Sequence, residues 1–218
     1  MENMFFDYEG VLVNNTQNKE TLMRAHDMLR KSLLEQGIMV GLNKIYESSD
    51  KTKDEYLEYR KEFPNNEWPM SKFISGIFNK LEIPINPEKE KEYIDIYTHN
   101  NHDYELREDV LDTIPQLSKR FDLGIITNST HNSLIRELNE FDLLRFFPTI
   151  VISSEVGKRK PDSLIYEVAI KKSGKDAKEC YFVGHESWEV EGAEKVGMRG
   201  VFAGRGTGKS IKTLLELI

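Results

Sequence analysis

The chain has 218 residues, longer than one average domain and shorter than two, which fits a single α/β domain or a core carrying a smaller insert. Its 30 Lys and Arg against 37 Asp and Glu leave a net charge of -7, which argues against nonspecific binding to nucleic acid or to an anionic membrane. The single cysteine, Cys180, excludes an internal disulfide and a four-cysteine zinc site; with no secretory pattern in the first residues and no long apolar run, the chain reads as cytoplasmic.

In chain order, the first apolar run, residues 4–6, reads as a buried strand ending on Asp7. Glu9 follows two residues later, and Gly10 then lets the chain turn, so both carboxylates can face one pocket. Such a pair can divide labour, one as nucleophile and one as acid/base. Residues 14–104 form a connection far too long for a simple βα crossover. Its content is helical. Leu22, Ala25, Leu29 and Leu33 share one face of residues 20–34; Phe73, Ile74, Ile77, Phe78 and Leu81 do the same after Trp68-Pro69; residues 88–97 form a weaker third helix. These stripes read as the core of an inserted helical subdomain, which would make a lid over the carboxyl edge of a sheet.

Residues 107–119 resemble a helix, with Pro115 implying a kink or a late start. Beyond it, strands at 123–126, 149–152, 180–183 and 201–203 alternate with helices at 131–141, 162–172, 188–196 and 209–217. That alternation predicts a doubly wound parallel sheet with a Rossmann-like α/β core. The strand runs end on Asp7, Thr127, Ser153, Gly184 with His185, and Gly204, the edge where open α/β sheets bind ligands. The expected domains are a core of residues 1–13 and 105–218 and a helical cap of residues 14–104.

Asp7-Tyr8-Glu9-Gly10-Val11-Leu12 resembles the first motif of the haloacid dehalogenase (HAD) superfamily, with Glu9 where a second Asp is usual. Ile125-Ile126-Thr127-Asn128-Ser129 resembles the second motif, Gly157-Lys158-Arg159-Lys160-Pro161-Asp162 the third, and the stretch from Phe182 to Glu189 the framework of the fourth. The helical insert falls where that superfamily carries its type 1 cap. The resemblance implies a hydrolase, in most members a phosphatase acting on a small phosphorylated molecule. Asp7 would attack phosphorus to form an aspartyl intermediate, and Glu9 would protonate the leaving group and later activate water. Thr127 and Asn128 would hold phosphoryl oxygens, and Lys160 would neutralise charge on Asp7 and on the transferring group.

The resemblance also implies Mg2+, held by Asp7, Glu9 and the fourth-motif positions, which here are His185 and Glu189. An imidazole suits Mg2+ poorly and Mn2+, Co2+ or Zn2+ better; alternatively Glu186 could supply the missing acid, or no metal binds. A metal-independent 2-haloacid dehalogenase is the second reading. Trp188, an acid at Glu189, and Gly192-Ala193 support it, as does Tyr166 at the dehalogenase tyrosine position. Against it, Glu9 stands where those enzymes carry Tyr, and no arginine lies near residue 38. A third reading is a noncatalytic member that binds a ligand or a protein partner.

Gly204-Arg205-Gly206-Thr207-Gly208-Lys209-Ser210 looks like a phosphate loop, but Ala203 stands where its first glycine is needed and too little chain follows; it reads as a glycine-rich turn into the last helix. His99, His102 and Asp103 read as a solvated hinge, His26 and His131 as ordinary helix residues, and Cys180 as a buried inert thiol.

Overall fold

Parallel strands buried on both faces need near-continuous apolar runs, and those runs become the sheet. The computed structural model describes residues 1–217, apart from the side chains of residues 131, 132 and 217. His131, read above as an ordinary helix residue, therefore has its side chain outside the described residues. In chain order the strands are β1 (Glu2–Phe6), β2 (Val13–Thr16), β3 (Asp103–Leu106), β4 (Phe121–Thr127), β5 (Thr149–Ile152), β6 (Cys180–Gly184) and β7 (Arg199–Phe202). The helices are α1 (Lys19–Glu35), α2 (Leu42–Glu62), α3 (Met70–Leu81), α4 (Glu90–Asn100), α5 (Val110–Leu117), α6 (His131–Glu140), α7 (Ser153–Val156), α8 (Ser163–Ser173) and α9 (Ser187–Lys195). Five strands pair in parallel in the order β5-β4-β1-β6-β7, so β1 lies at the centre, and β2 pairs with β3 in a separate two-stranded ribbon.

The chain divides into two compact units, Met1–Asn15 with Tyr104–Ile218, and Thr16–Asp103. In the first unit, alternate residues of β1 serve opposite faces of the sheet. Met4 and Phe6 join a core with Val110 and Ile114 of α5, Leu134 and Leu138 of α6, and Ile211 and Leu214. Phe5 joins a second core with Ile165 and Tyr166 of α8 and Ala193 of α9. Helices thus cover both faces, the doubly wound α/β arrangement with strand ends converging on one edge.

The segment Ile211–Leu217, expected as an ordinary helix, is a 3-10 helix. It starts where the Ile211 N–H donates to Asp109 Oδ2 at 3.0 Å and the Ser210 hydroxyl donates to the same carboxylate. Pro115 is tolerated inside α5, which starts at Val110, after the position expected.

The second unit packs α1, α2, α3 and α4 around Ala25, Leu29, Leu33, Ile45, Ile74, Ile77, Phe78, Leu81, Tyr93 and Tyr97. Its longest helix, α2, spans 21 residues and carries no apolar stripe. Its buried face is Ile45, Ser48, Ser49 and Thr52, small and mostly polar. Thr52 returns its hydroxyl to the Ser48 carbonyl at 2.8 Å, and Gly76 of α3 approaches it so closely that an added Cβ would lie 2.6 Å from Thr52 Cγ2. Small side chains let these helices meet closely without an apolar period. Asp103 in the proposed hinge pairs with Arg24 at 2.7 Å. Among the described residues no helix is long and apolar enough to cross a membrane.

His26 lies in α1 between the rings of Tyr46 and Tyr97, is 2% exposed, and hydrogen-bonds through neither ring nitrogen. Burial lowers its pKa to about 4. An unfolded chain binds this proton below about 6.5 and the folded one only near 4, so stability is complete above 6.5 and is lost as pH falls through that window. Urea titrations should show the wild type losing about 2 kcal/mol between pH 7.5 and 5 from this group, a loss that His26→Leu removes.

Candidate active site

Asp7 follows β1 and is buried, with its backbone N–H donated to the Val183 carbonyl at 2.9 Å. Its Oδ1 accepts the Tyr8 N–H at 2.7 Å and lies 2.5 Å from Lys160 Nζ. The same ammonium lies 2.7 Å from Glu189 Oε1 in α9. Lys160, 2% exposed, precedes α8, and its backbone is held by Asn128: the Lys160 N–H donates to Asn128 Oδ1 at 2.8 Å, and Asn128 Nδ2 donates to the Lys160 carbonyl at 3.4 Å. Glu189 is fixed from behind by Tyr166, whose hydroxyl donates to the Glu189 carbonyl at 2.8 Å.

His185 caps the cluster. Its Nδ1 faces Asp7 Oδ2 at 3.5 Å and Glu189 Oε2 at 3.8 Å, and its Nε2 faces Glu186 Oε1 at 3.5 Å and Arg205 Nη2 at 3.4 Å. Gly10 makes room for the ring: at φ +80° it has no Cβ, and one built there would fall 2.4 Å from the imidazole.

Burial opposes ionisation of Asp7, but the Lys160 charge and the His185 ring outweigh it and hold the carboxyl below its ordinary value. Burial pushes Glu189 up to about 7, with Lys160 pulling it down and Asp7 pushing it further up. His185 is raised by the Asp7 carboxylate that it faces, against burial. Two neighbouring acids with separated affinities for a proton are a common feature of hydrolytic sites.

The structure brings Asp7, Lys160, His185 and Glu189 together, with the buried Thr127 at the end of β4 on the same sheet edge. Glu9 departs from the expected metal set: its side chain is half exposed and points toward Arg205 Nη2 at 3.6 Å. Asn128, expected on phosphoryl oxygens, has its side chain committed to the Lys160 backbone. Glu186 is exposed and lies at the Nε2 side of His185, whereas Asp7 and Glu189 face its Nδ1.

Asp7, His185 and Glu189 offer ligand atoms within 4.8 Å of one another, and they could hold a divalent ion. The fit is supported by two buried atoms without a hydrogen bond, His185 Nδ1 and Glu189 Oε2, which lie 3.8 Å apart.

The sequence pattern of the haloacid dehalogenase-like hydrolases matches residues 5–203. The chain belongs to this family. A glyceraldehyde 3-phosphate phosphatase from Pyrococcus abyssi is 28% identical over 206 residues, covering 91% of this chain and 79% of that protein. Among solved structures, a HAD phosphatase from Thermococcus onnurineus aligns with TM-score 0.62 and 24% identity, covering 100% of this chain and 96% of that one. A 2-haloacid dehalogenase from Pseudomonas syringae aligns with TM-score 0.65 and 22% identity over 93% and 86% of the two chains. These two likenesses speak for the HAD fold. Arg205 and the grip of Asn128 on Lys160 were not foreseen from motif order, because both depend on contacts between distant segments.

The Lys160 ammonium is the buried counter-charge for two carboxylates. Removing one partner from such a cluster leaves uncompensated charge. Lys160→Met should lower the unfolding free energy at pH 8 by about 3 kcal/mol or more, as measured by urea titration.

Proposed function

We propose that this HAD hydrolase is a phosphatase that cleaves small phosphate monoesters through an aspartyl-phosphate on Asp7. The observation that carries the reading is the 2.5 Å contact between Lys160 Nζ and Asp7 Oδ1 at the carboxyl edge of the sheet. A carboxylate held ionised and immobile beside a buried cation suits a nucleophile for an anionic electrophile. The similarity to a protein named glyceraldehyde 3-phosphate phosphatase supports the same class of substrate.

The Tyr8 N–H donated to Oδ1 and the Lys160 ammonium 2.5 Å from the same oxygen fix the plane of the Asp7 carboxylate before substrate arrives. Attack on phosphorus expels the ester oxygen, and Glu9, close to Asp7 in sequence and half exposed, gives that oxygen a proton. Glu9 then takes a proton from the water that hydrolyses the acyl phosphate, restoring Asp7 and releasing inorganic phosphate. Thr127 and the amides after it receive phosphoryl oxygens, and Lys160 offsets their charge. A divalent ion held by Asp7, His185 and Glu189 would add Lewis-acid charge stabilisation. Residues 16–103 serve as the cap of the family.

Carboxylates flanking an imidazole suit Mn2+ or Co2+ better than Mg2+. Calorimetric titration of the metal-free protein should show Mn2+ binding more tightly than Mg2+, and His185→Asp should narrow that gap; equal affinities in the wild type would remove the proposed preference. For the reaction, a panel of phosphomonoesters should release phosphate with the wild type, and Asp7→Asn should lower kcat by about 10^3-fold or more while far-ultraviolet circular dichroism is unchanged. Halide released from 2-chloropropionate with no phosphate from any ester would point to a dehalogenase instead.

A further inference from the structure

The glycine-rich stretch after β7 has no role in the reaction as described, yet it is built into the site. Gly204 and Lys209 bridge to close a turn, and Gly204, at φ +114°, passes so close to the first-motif loop that an added Cβ would lie 2.5 Å from the Gly10 carbonyl oxygen. The next backbone N–H, that of Arg205, donates to that same carbonyl at 2.7 Å. Arg205 is thereby locked to the loop that carries Asp7 and Glu9. Its guanidinium is about half exposed, with Nη2 3.4 Å from His185 Nε2 and 3.6 Å from Glu9 Oε1. Among the described residues its Nε and Nη1 make no hydrogen bond, so most of a five-donor fork is unspent.

Resting on the phosphatase reading, we propose that Arg205 receives a second negative group on the substrate, and that the substrate is a short phosphoester or phosphoanhydride whose leaving group carries a carboxylate or a phosphoryl group. Glu9 must touch the departing oxygen to protonate it, and Arg205 is beside Glu9, so the guanidinium stands on the leaving-group side of the reaction. An oxyanion a few bonds beyond the departing oxygen falls within its reach. The Glu9 contact is no obstacle, because a half-exposed ion pair at 3.6 Å is weak and a substrate oxyanion can share or replace it. Arginine matches such groups with two parallel N–H donors, whereas a lysine would offer a point charge. In a chain with net charge -7, an anionic substrate also needs local positive charge, and Arg205 adds to Lys160 at the same edge.

Phosphonates resist hydrolysis and report binding alone. Ethylphosphonate carries one anionic group; phosphonoacetate and methylenediphosphonate carry a second, as a carboxylate and as a phosphoryl group. With the full chain in excess Mn2+ at fixed ionic strength, at least one of these two should bind about tenfold more tightly than ethylphosphonate. The tighter of the two identifies the second group. That preference should fall to near parity in Arg205→Gln and return in part in Arg205→Lys. Parity in the wild type, or a preference that survives in Arg205→Gln, overturns the assignment. Phosphate release from ethyl phosphate alongside parity would leave the phosphatase reading standing and remove only this one; no binding of any phosphonate together with no phosphate release would remove both.

Discussion

The site depends on one buried ammonium. Lys160 Nζ stands between Asp7 Oδ1 and Glu189 Oε1, and solvent barely reaches any of the three side chains. Two carboxylates in such a place would be strongly desolvated, and an unscreened cation between them is what makes the arrangement tolerable. The consequences extend along the chain. Asn128 holds the backbone of Lys160, so the end of β4 is tied to the charge; Tyr166 holds the carbonyl of Glu189, so α8 and α9 are tied to it as well. Gly192 belongs to the same constraint, because a side chain there would meet Pro161 and Tyr166.

His185 alters the balance in this cluster. A carboxylate at that position would set three negative groups against one lysine, whereas an imidazole leaves two. The ring also has two distinct edges, Nδ1 toward the buried acids and Nε2 toward the exposed Glu186 and Arg205. It therefore stands between a buried ion cluster and a solvated one.

The strands of the parallel sheet were legible in the sequence from their short apolar runs, as Met4, Phe5 and Phe6 show by serving two different cores. Asp7, Lys160, His185 and Glu189 were legible because each ends a strand, precedes a helix or opens one, where ligands of this architecture gather. The helix α2 was not, since Ser48, Ser49 and Thr52 form its buried face and apolar periodicity is blind to small polar contacts. The ribbon of β2 and β3 was missed because Val-Asn-Asn-Thr and Asp-Tyr-Glu-Leu carry no long apolar run. Neither the task of Asn128 nor that of Arg205 could be read locally: each is set by a backbone group that is distant in sequence, Lys160 for one and Gly10 for the other.

The central position of β1 bears on how the chain is made. Its two neighbours in the sheet are β4 and β6, both much later in the sequence, and the helical unit Thr16–Asp103 is a single uninterrupted stretch that comes after β1 and before either of them. During synthesis from the N-terminus, that stretch can complete its own core while β1 still has no partner on either side. The strand that leads into Asp7 leaves the ribosome well before either of its sheet partners, so its exposed Met4-Phe5-Phe6 run is a point of vulnerability to aggregation in the nascent chain.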